Sequence, residues 1–317
     1  MADKPSRALV IYGDGCASSV SPSHSNLHSF ASLASCGFLS LRDVSETRND
    51  RVISDLAQLL DAYDIYKSNN EKHGEADADV NQKELQLQNI TERFMGLRAA
   101  IFTKCPNVRS FASKLGFTIL ELNELTKEDP DDATAAAKVL QLLGFSGGNV
   151  LEKCEFDLVF LHIINSAKPK DQKEKPVISR DVDWLNKLVG RIMQTAQLGS
   201  SIASRLHFSI VLSFLTVSED LDRYSLNVNS SIEKNSDLYL LRPRQSYTMK
   251  GGKILNDIRH HHPMLIAQWQ EGVTRKDLSK AFSFREFKEY GVNLAILADR
   301  FLHEVAFKLW KAPKYGA

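Results

Sequence analysis

The feature that most constrains the fold is an alternation of short apolar runs with helical patterns over the first two thirds of the chain. Continuous apolar runs of a few residues are typical of buried strands, whereas apolar residues three and four positions apart are typical of amphipathic helices. The predicted strands are 8–12, 98–102, 117–120, 156–164 and 208–214, and the predicted helices are 27–34, 52–66, 106–115, 133–143 and 181–196. This order predicts an α/β fold, with a mostly parallel central sheet and helices on both faces.

Length and two polar stretches limit the domain organisation. A chain of 317 residues fits one large α/β unit or two domains. The stretches 68–89 and 166–175 contain few apolar residues, and neither is long enough to join independent domains. We therefore predict a single α/β domain over residues 1–317, with 68–89 as a mobile polar insertion. A helix at about 299–311 has one apolar face, which predicts that it docks on the domain.

Composition excludes several classes of protein. The 40 Lys and Arg residues nearly balance the 39 Asp and Glu residues, so the chain lacks the cationic excess of a general nucleic-acid binder. The longest apolar stretch, 206–217, is about twelve residues long, whereas a membrane-spanning helix needs about twenty. The four cysteines form no C-x-x-C pair and the amino terminus shows no secretory signal, which predicts reduced thiols in a cytoplasmic protein.

Polar side chains at three places are candidates for chemistry. Asp14 stands between two glycines at the carboxyl end of the first strand, where it is a metal or phosphate ligand, or a turn aspartate that binds its own backbone. His162 lies in an apolar strand, either as a core residue or as a catalytic group. His260 and His262 could point to the same side of an extended chain, so they could form half of a metal site.

Five segments also follow one another in an order typical of a single enzyme superfamily. They are the first strand with its Asp-Gly end, a Ser-Pro…Asn-Leu segment, Cys-Gly-Phe-Leu, Asp-Leu-Val-Phe-Leu-His-Ile, and a late His-Pro region, at residues 8–15, 21–31, 36–39, 157–163 and 260–267. In this order they resemble the alkaline-phosphatase-like superfamily, nearest to its cofactor-independent phosphoglycerate mutase branch. The whole chain also resembles an uncharacterised plant protein family, which implies no mechanism.

The superfamily resemblance implies a Ser or Thr nucleophile activated by two metal ions. In the mutase branch this nucleophile follows a turn that resembles Cys-Gly-Phe-Leu at 36–39. Asn49 occupies the corresponding position here, and an amide cannot accept a phosphoryl group. Thr47 could replace the nucleophile only if the loop shifted by two residues.

The metal ligands implied by the resemblance are also mostly replaced. The family's Asp-Glu-x-Gly-His after the strand that contains His162 is Asn-Ser-Ala-Lys-Pro here, at 165–169. The Asp-His pair expected after the strand at 208–212 is Ser-Phe, at 213–214. Only Asp14 and His260 remain, which is too few ligands for a two-metal centre.

We therefore predict a non-catalytic protein (a pseudoenzyme) that binds or scaffolds a protein partner and needs no cofactor. The alternative is a metal-dependent phosphoester hydrolase or phosphomutase that uses manganese, magnesium or zinc. Its rearranged site would contain Asp14, Thr47, His162, His260 and His262.

Two further expectations concern binding. If the chain senses a phosphorylated small molecule, Arg259 and Lys250 are the expected anion contacts. If it acts through a protein partner, exposed aromatic residues of the carboxyl-terminal region such as Trp269 or Trp310 are expected to dominate the binding energy. For Trp310, a place in the core is the alternative.

Overall fold

The computed structural model describes residues 6–42, 48–71, 89–125, 132–166, 179–214, 249–250, 253–259, 262–272, 275–291 and 293–314. The strands are β1 (Arg7–Asp14), β2 (Ser35–Ser40), β3 (Ala99–Thr103), β4 (Thr118–Glu121), β5 (Phe145–Ser146), β6 (Asn149–Val150), β7 (Leu158–Ile164), β8 (Leu206–Leu212), β9 (Met249–Lys250), β10 (Lys253–Ile254), β11 (Met264–Trp269) and β12 (Asn293–Leu297). The α-helices are α1 (Ser25–Leu33), α2 (Arg48–Leu59), α3 (Tyr63–Glu71), α4 (Ile90–Arg93), α5 (Pro106–Lys114), α6 (Asp132–Leu142), α7 (Arg180–Thr195), α8 (Ser201–Arg205), α9 (Phe284–Tyr290) and α10 (Phe301–Lys308).

Eight strands form one central sheet in the order β12-β2-β11-β8-β1-β7-β3-β4. Strand β11 runs antiparallel to both of its neighbours, and the other paired strands of this sheet are parallel. Alternate residues of β1 enter different cores: Leu9 and Ile11 pack with α1, α6 and α7, whereas Val10 and Tyr12 pack with α2, α5 and α10. The prediction of a mostly parallel sheet with helices on both faces is confirmed.

Three strands of the central sheet, β2, β11 and β12, are absent from the sequence-based prediction. The Cys-Gly-Phe-Leu segment at 36–39, which the resemblance identified as part of a turn, is strand β2. Its partner β11 lies more than 200 residues away in the sequence, and Leu39 pairs with Met264. Helix α9 was also missed.

The helix predicted at 52–66 is wrong in one respect, because it is two helices. Helix α2 ends at Leu59 and α3 begins at Tyr63. Between them Asp61 has a left-handed backbone, with φ of 50°. The Arg93 guanidinium binds both the backbone oxygen and the carboxylate of Asp61, each at 2.8 Å, which stabilises this turn.

The predicted insertion is described only at its start, and the predicted carboxyl-terminal helix is present. Residues 68–71 complete α3, and the rest of the predicted insertion up to 88 lies outside the described residues. Helix α10 buries Phe301, Leu302 and Val305 against the sheet. Within the described ranges, no helix combines the length and apolarity needed to cross a bilayer.

Candidate functional site

The candidate site lies where parallel strands β1, β7 and β8 end side by side. Asp14 closes β1, and its side chain is buried. A Cβ atom on Gly13 would come within 2.7 Å of a Leu212 side-chain carbon and 3.0 Å of the Cys16 Cβ, so glycine here leaves room for these two side chains. Gly15 has φ of 69°, which turns the chain directly after Asp14. The sequence thus places a carboxylate at the edge of the sheet where open α/β folds bind ligands.

The Asp14 carboxylate takes part in a hydrogen-bond network with β8. The Ser213 hydroxyl donates to Asp14 Oδ1 at 3.0 Å. The same hydroxyl oxygen accepts from the Gly15 backbone N–H at 2.9 Å and from the Tyr12 hydroxyl at 3.4 Å. Burial, followed by the charge of Asp14, raises the pKa of Tyr12 well above its usual value, so its hydroxyl stays protonated. The Ser213 hydroxyl therefore uses a lone pair of Asp14 Oδ1 that a carboxylate could otherwise offer to a metal ion.

Asn165, directly after β7, ties three loops together. Its Nδ2 donates to the Gly15 carbonyl and to Ser19 Oγ, both at 2.9 Å. Its Oδ1 accepts from the Ser179 hydroxyl at 2.8 Å. The side chain is 2% exposed. The amide therefore acts as a structural link in a position where the resemblance expects a metal-binding carboxylate.

Helix α2 brings a second carboxylate and an arginine to this edge. Asp55 is buried, and Arg51 Nε lies 3.4 Å from its Oδ2. Arg51 Nη2 also donates to the backbone oxygen of Phe214, at 2.7 Å. Burial raises the pKa of Asp55, while the charges of Arg259 and Arg51 oppose this rise and that of Asp14 adds to it. Two carboxylates and two guanidinium groups thus interact at the edge.

His162 lies beneath this edge, away from solvent. Its Nδ1 is 2.9 Å from Thr103 Oγ1, and its ring stacks on Tyr12 with 5.4 Å between ring centres. Its Nε2 is buried without a hydrogen-bond partner. Burial lowers the pKa of His162 to about 4, so the ring is neutral at physiological pH. With 1% of the residue exposed, His162 belongs to the core alternative.

The remaining predicted residues are only partly described. Arg259 Nη2 donates to the His262 backbone oxygen at 3.0 Å, and the His262 ring packs edge-on against Phe214 with 5.8 Å between ring centres. Thr47 and His260 lie outside the described residues. The backbone of Asn49 is in α2 and that of Lys250 is in β9, but their side chains are outside the description.

The metal-ligating atoms of the described residues do not fit the two metal ions that the resemblance implies. Within the described ranges, no three His, Cys, Asp or Glu side chains are placed to hold a metal ion. Asp14 accepts from a hydroxyl, and Asn165 presents its amide N–H groups to oxygen atoms. Asp55 faces Arg51 and the charge of Arg259. Asp14 thus accepts from an uncharged hydroxyl, and guanidinium groups offset the charge of Asp55.

Arg51 and Asp55 were not among the residues predicted from the sequence to form a site. A four-residue spacing of opposite charges on a helix is typical of a solvent-exposed ion pair, and this pattern hides their burial. The available signal was a polar group on one side of the helix that follows the Cys-Gly-Phe-Leu segment. It consists of Ser54, Asp55 and Gln58. All three are at most 2% exposed.

Solved structures resemble this fold over nearly the whole chain. The PH0037 protein from Pyrococcus horikoshii is 14% identical with a TM-score of 0.54, and the match covers 100% of both chains. The cofactor-independent phosphoglycerate mutase from Thermoplasma acidophilum DSM 1728 is 9% identical, with 96% of this chain and 100% of that chain covered and a TM-score of 0.45. A protein of the alkaline phosphatase superfamily from Vibrio parahaemolyticus is 11% identical, with 86% of this chain and 62% of that chain covered and a TM-score of 0.42.

The match to the PH0037 protein shows a shared α/β fold, which agrees with the predicted fold class. At these identities the likeness concerns the fold alone. No family model matches the chain and no curated protein does, so the resemblance to a plant family has no support.

Proposed function

We propose that this chain is a non-catalytic protein with an alkaline-phosphatase-like fold, which acts by binding a protein partner. One observation carries the proposal: the Ser213 hydroxyl donates to the Asp14 carboxylate at 3.0 Å. A two-metal phosphotransfer site needs that carboxylate, and others around it, as metal ligands. Here the carboxylate is instead part of a protein hydrogen-bond network.

The charge balance of the edge supports the same proposal. Metal ions normally neutralise the clustered carboxylates of a two-metal site. At this edge Arg51 contacts Asp55, and the positive charge of Arg259 partly offsets the rise that burial causes in the pKa of the same carboxyl. Guanidinium groups have a fixed positive charge. They stabilise buried carboxylates without supplying an open coordination position for a phosphate oxygen.

We expect the purified protein to cleave no phosphate ester above background. The assay is a panel of phosphomonoesters and phosphodiesters, and of phosphoglycerates for mutase activity, each with added manganese, magnesium or zinc. Asp14→Asn is the matched variant, because it keeps the side-chain shape and one acceptor oxygen. Wild type and variant should give the same background rate. Turnover in the wild type that disappears in Asp14→Asn would contradict the proposal and favour the metal-dependent hydrolase or phosphomutase.

Metal dependence of stability gives a second readout for the same proposal. A ligand that binds only the native state raises the melting temperature by mass action. We therefore expect a chelator to leave the melting temperature of the wild type unchanged, and elemental analysis to find far less than one metal ion per chain. A chelator-induced fall of several degrees would contradict the proposed function.

A further inference from the structure

The exposure of two tryptophans corrects two expectations. The expectation that Trp269 is an exposed anchor is wrong, because β11 runs inside the sheet between β2 and β8 and Trp269 is 3% exposed. The alternative that placed Trp310 in the core is also wrong, since this residue is 65% exposed. An exposed side chain alone does not identify what binds it. A cavity elsewhere in the fold has lining residues that do.

This cavity of about 240 Å³ lies between α6, α7, α8 and the β5–β6 hairpin, and we name it the α6–α7 cavity. On α6 its lining residues stand at positions i, i+3, i+4 and i+7, so they share one face of the helix. They are Ala133, Ala136, Ala137 and Leu140. Because three of them are alanines, their short side chains leave space in front of α7.

The floor of the α6–α7 cavity is apolar. Its four residues are each at most 2% exposed, and they are Ala136, Leu140, Phe145 and Ile202. The Ser201 hydroxyl donates to the Gly148 oxygen at 3.3 Å, which fastens the β5–β6 hairpin to α8. The floor therefore offers apolar surface to a hydrocarbon chain, and its burial favours binding.

One positive charge lies at the rim of the cavity. Arg191 is the only charged residue among the described residues that line it. Its Nη1 donates to the uncharged Gln194 Oε1 at 3.3 Å, and Arg191 makes no ion pair with any described residue. The side chain is exposed, so a ligand reaches it from solvent. A guanidinium group has five N–H donors in a planar fork that suits a carboxylate.

We propose that the α6–α7 cavity binds a small amphipathic carboxylate, with the carboxylate on Arg191 and the apolar chain on the floor. Pockets for drug-sized ligands measure ~300–1,000 Å³, so a cavity of about 240 Å³ suits a short chain. The inference goes beyond the proposed function and does not depend on it, because none of the lining residues belongs to the candidate site.

The charge of the cavity favours a carboxylate over a phosphate ester. A phosphate monoester carries about −1.5 to −2 charges at pH 7, whereas the described lining offers one guanidinium group. The other polar lining side chains are uncharged, and they are Gln141, Ser146, Gln194 and Thr195. The single charge of a carboxylate is matched here, and a second negative charge is not.

The probe is octanoate, and binding to the full chain is measured by isothermal titration calorimetry. We expect saturable binding of one octanoate per chain, with a negative heat-capacity change because apolar surface is buried. Octan-1-ol has the same chain without the charge, and it should bind at least about tenfold more weakly. Acetate has the charge without the chain, and it should also bind at least about tenfold more weakly.

Two variants test the two parts of the cavity. Arg191→Gln removes the charge, so octanoate should bind at least about tenfold more weakly while octan-1-ol binds as in the wild type. Ala137→Leu fills the cavity, so both ligands should lose at least about tenfold in affinity. Ala137 is exposed and leucine favours helices, so the melting temperature should hardly change. Lys187→Gln is the matched control, because it removes the same charge from an exposed position of α7 outside the cavity. It should bind octanoate like the wild type.

Three results would overturn the inference. The first is a wild type that shows no saturable binding at millimolar octanoate. The second is octanoate affinity that is unchanged in both Arg191→Gln and Ala137→Leu, which would place the ligand outside the cavity. The third is octyl phosphate that binds at least about tenfold more tightly than octanoate, which would identify a phosphate ester as the ligand class. None of these results concerns phosphate-ester turnover, so failure of this inference can be distinguished from failure of the proposed function.

Discussion

Asn165→Asp should lower the free energy of unfolding by about 3 kcal/mol at neutral pH, because a buried negative charge replaces an amide group that donates two hydrogen bonds. Asn165 Nδ2 now donates to the Gly15 carbonyl at 2.9 Å. In the variant a negatively charged oxygen would face that carbonyl oxygen, near the Asp14 carboxylate. The substitution restores the acidic residue that the superfamily resemblance expects, yet the surrounding donors suit an amide.

The effect of Asn165→Asp should depend on pH in a defined direction. Burial raises the pKa of a carboxyl group, so the native variant takes up a proton at a higher pH than the unfolded chain. The destabilisation should therefore shrink as the pH falls from 7 toward 5. Urea unfolding at several pH values, with a chelator present, measures this. Ser166→Asp is the matched control, since it adds the same charge at an exposed neighbouring position and should change stability by less than about 0.5 kcal/mol.

A variant with wild-type stability would contradict this account of Asn165. It would mean that the hydrogen bonds to Gly15 and Ser19 contribute little, or that a cation occupies the edge. Repeating the measurement with zinc or manganese in place of the chelator distinguishes these two explanations. Stabilisation by the metal in Asn165→Asp alone would show that one substitution restores a metal ligand.

The central strands could be predicted from sequence because each is a continuous apolar run. β1, β7 and β8 are buried on both faces, so local composition alone identifies them. β2 reads Ser-Cys-Gly-Phe-Leu-Ser and has no such run. It is a strand because β11 and β12 pair with it, and both come from residues more than 200 positions later. Local pattern carries no information about such distant pairing.

The place of Asp14 in the fold could be predicted from the sequence, but the hydrogen bonds around it could not. The apolar run that ends at Asp14 predicted its place at the carboxyl end of β1, whereas a ligand-binding role for Asp14 stays a prediction. The resemblance identified Ser213 and Asn165 only as missing ligands, and their hydrogen bonds became visible in three dimensions. His162 pairs with Tyr12, two residues before Asp14, so its backbone lies near the same edge of the sheet. Its side chain is nevertheless buried in the core. Burial depth depends on the packing of α2 and α5, which sequence spacing does not specify.

Between pH 7 and pH 5 the protein should lose about 2 kcal/mol of stability through His162 alone. Burial lowers the pKa of this histidine to about 4 in the native state, whereas an unfolded histidine has a pKa of about 6.5. Below about pH 6.5 the unfolded chain therefore binds a proton that the native chain does not. Stability falls as the pH drops through this window, and the loss levels off near pH 4. Burial lowers the pKa of His207 as well, so a second histidine adds a loss of the same sign.

The test compares the pH dependence of unfolding in two variants. His162→Phe keeps a ring beside Tyr12 and removes the titrating group, so its stability between pH 7 and pH 5 should fall by about 2 kcal/mol less than that of the wild type. Thr103→Val is the matched control, because it removes the hydrogen bond to His162 Nδ1 and retains the buried histidine. It should be less stable than the wild type at every pH, with the same slope. If His162→Phe kept the wild-type slope, the imidazole would have to be accessible to protons in the native state, and His162 would return to the candidates for chemistry.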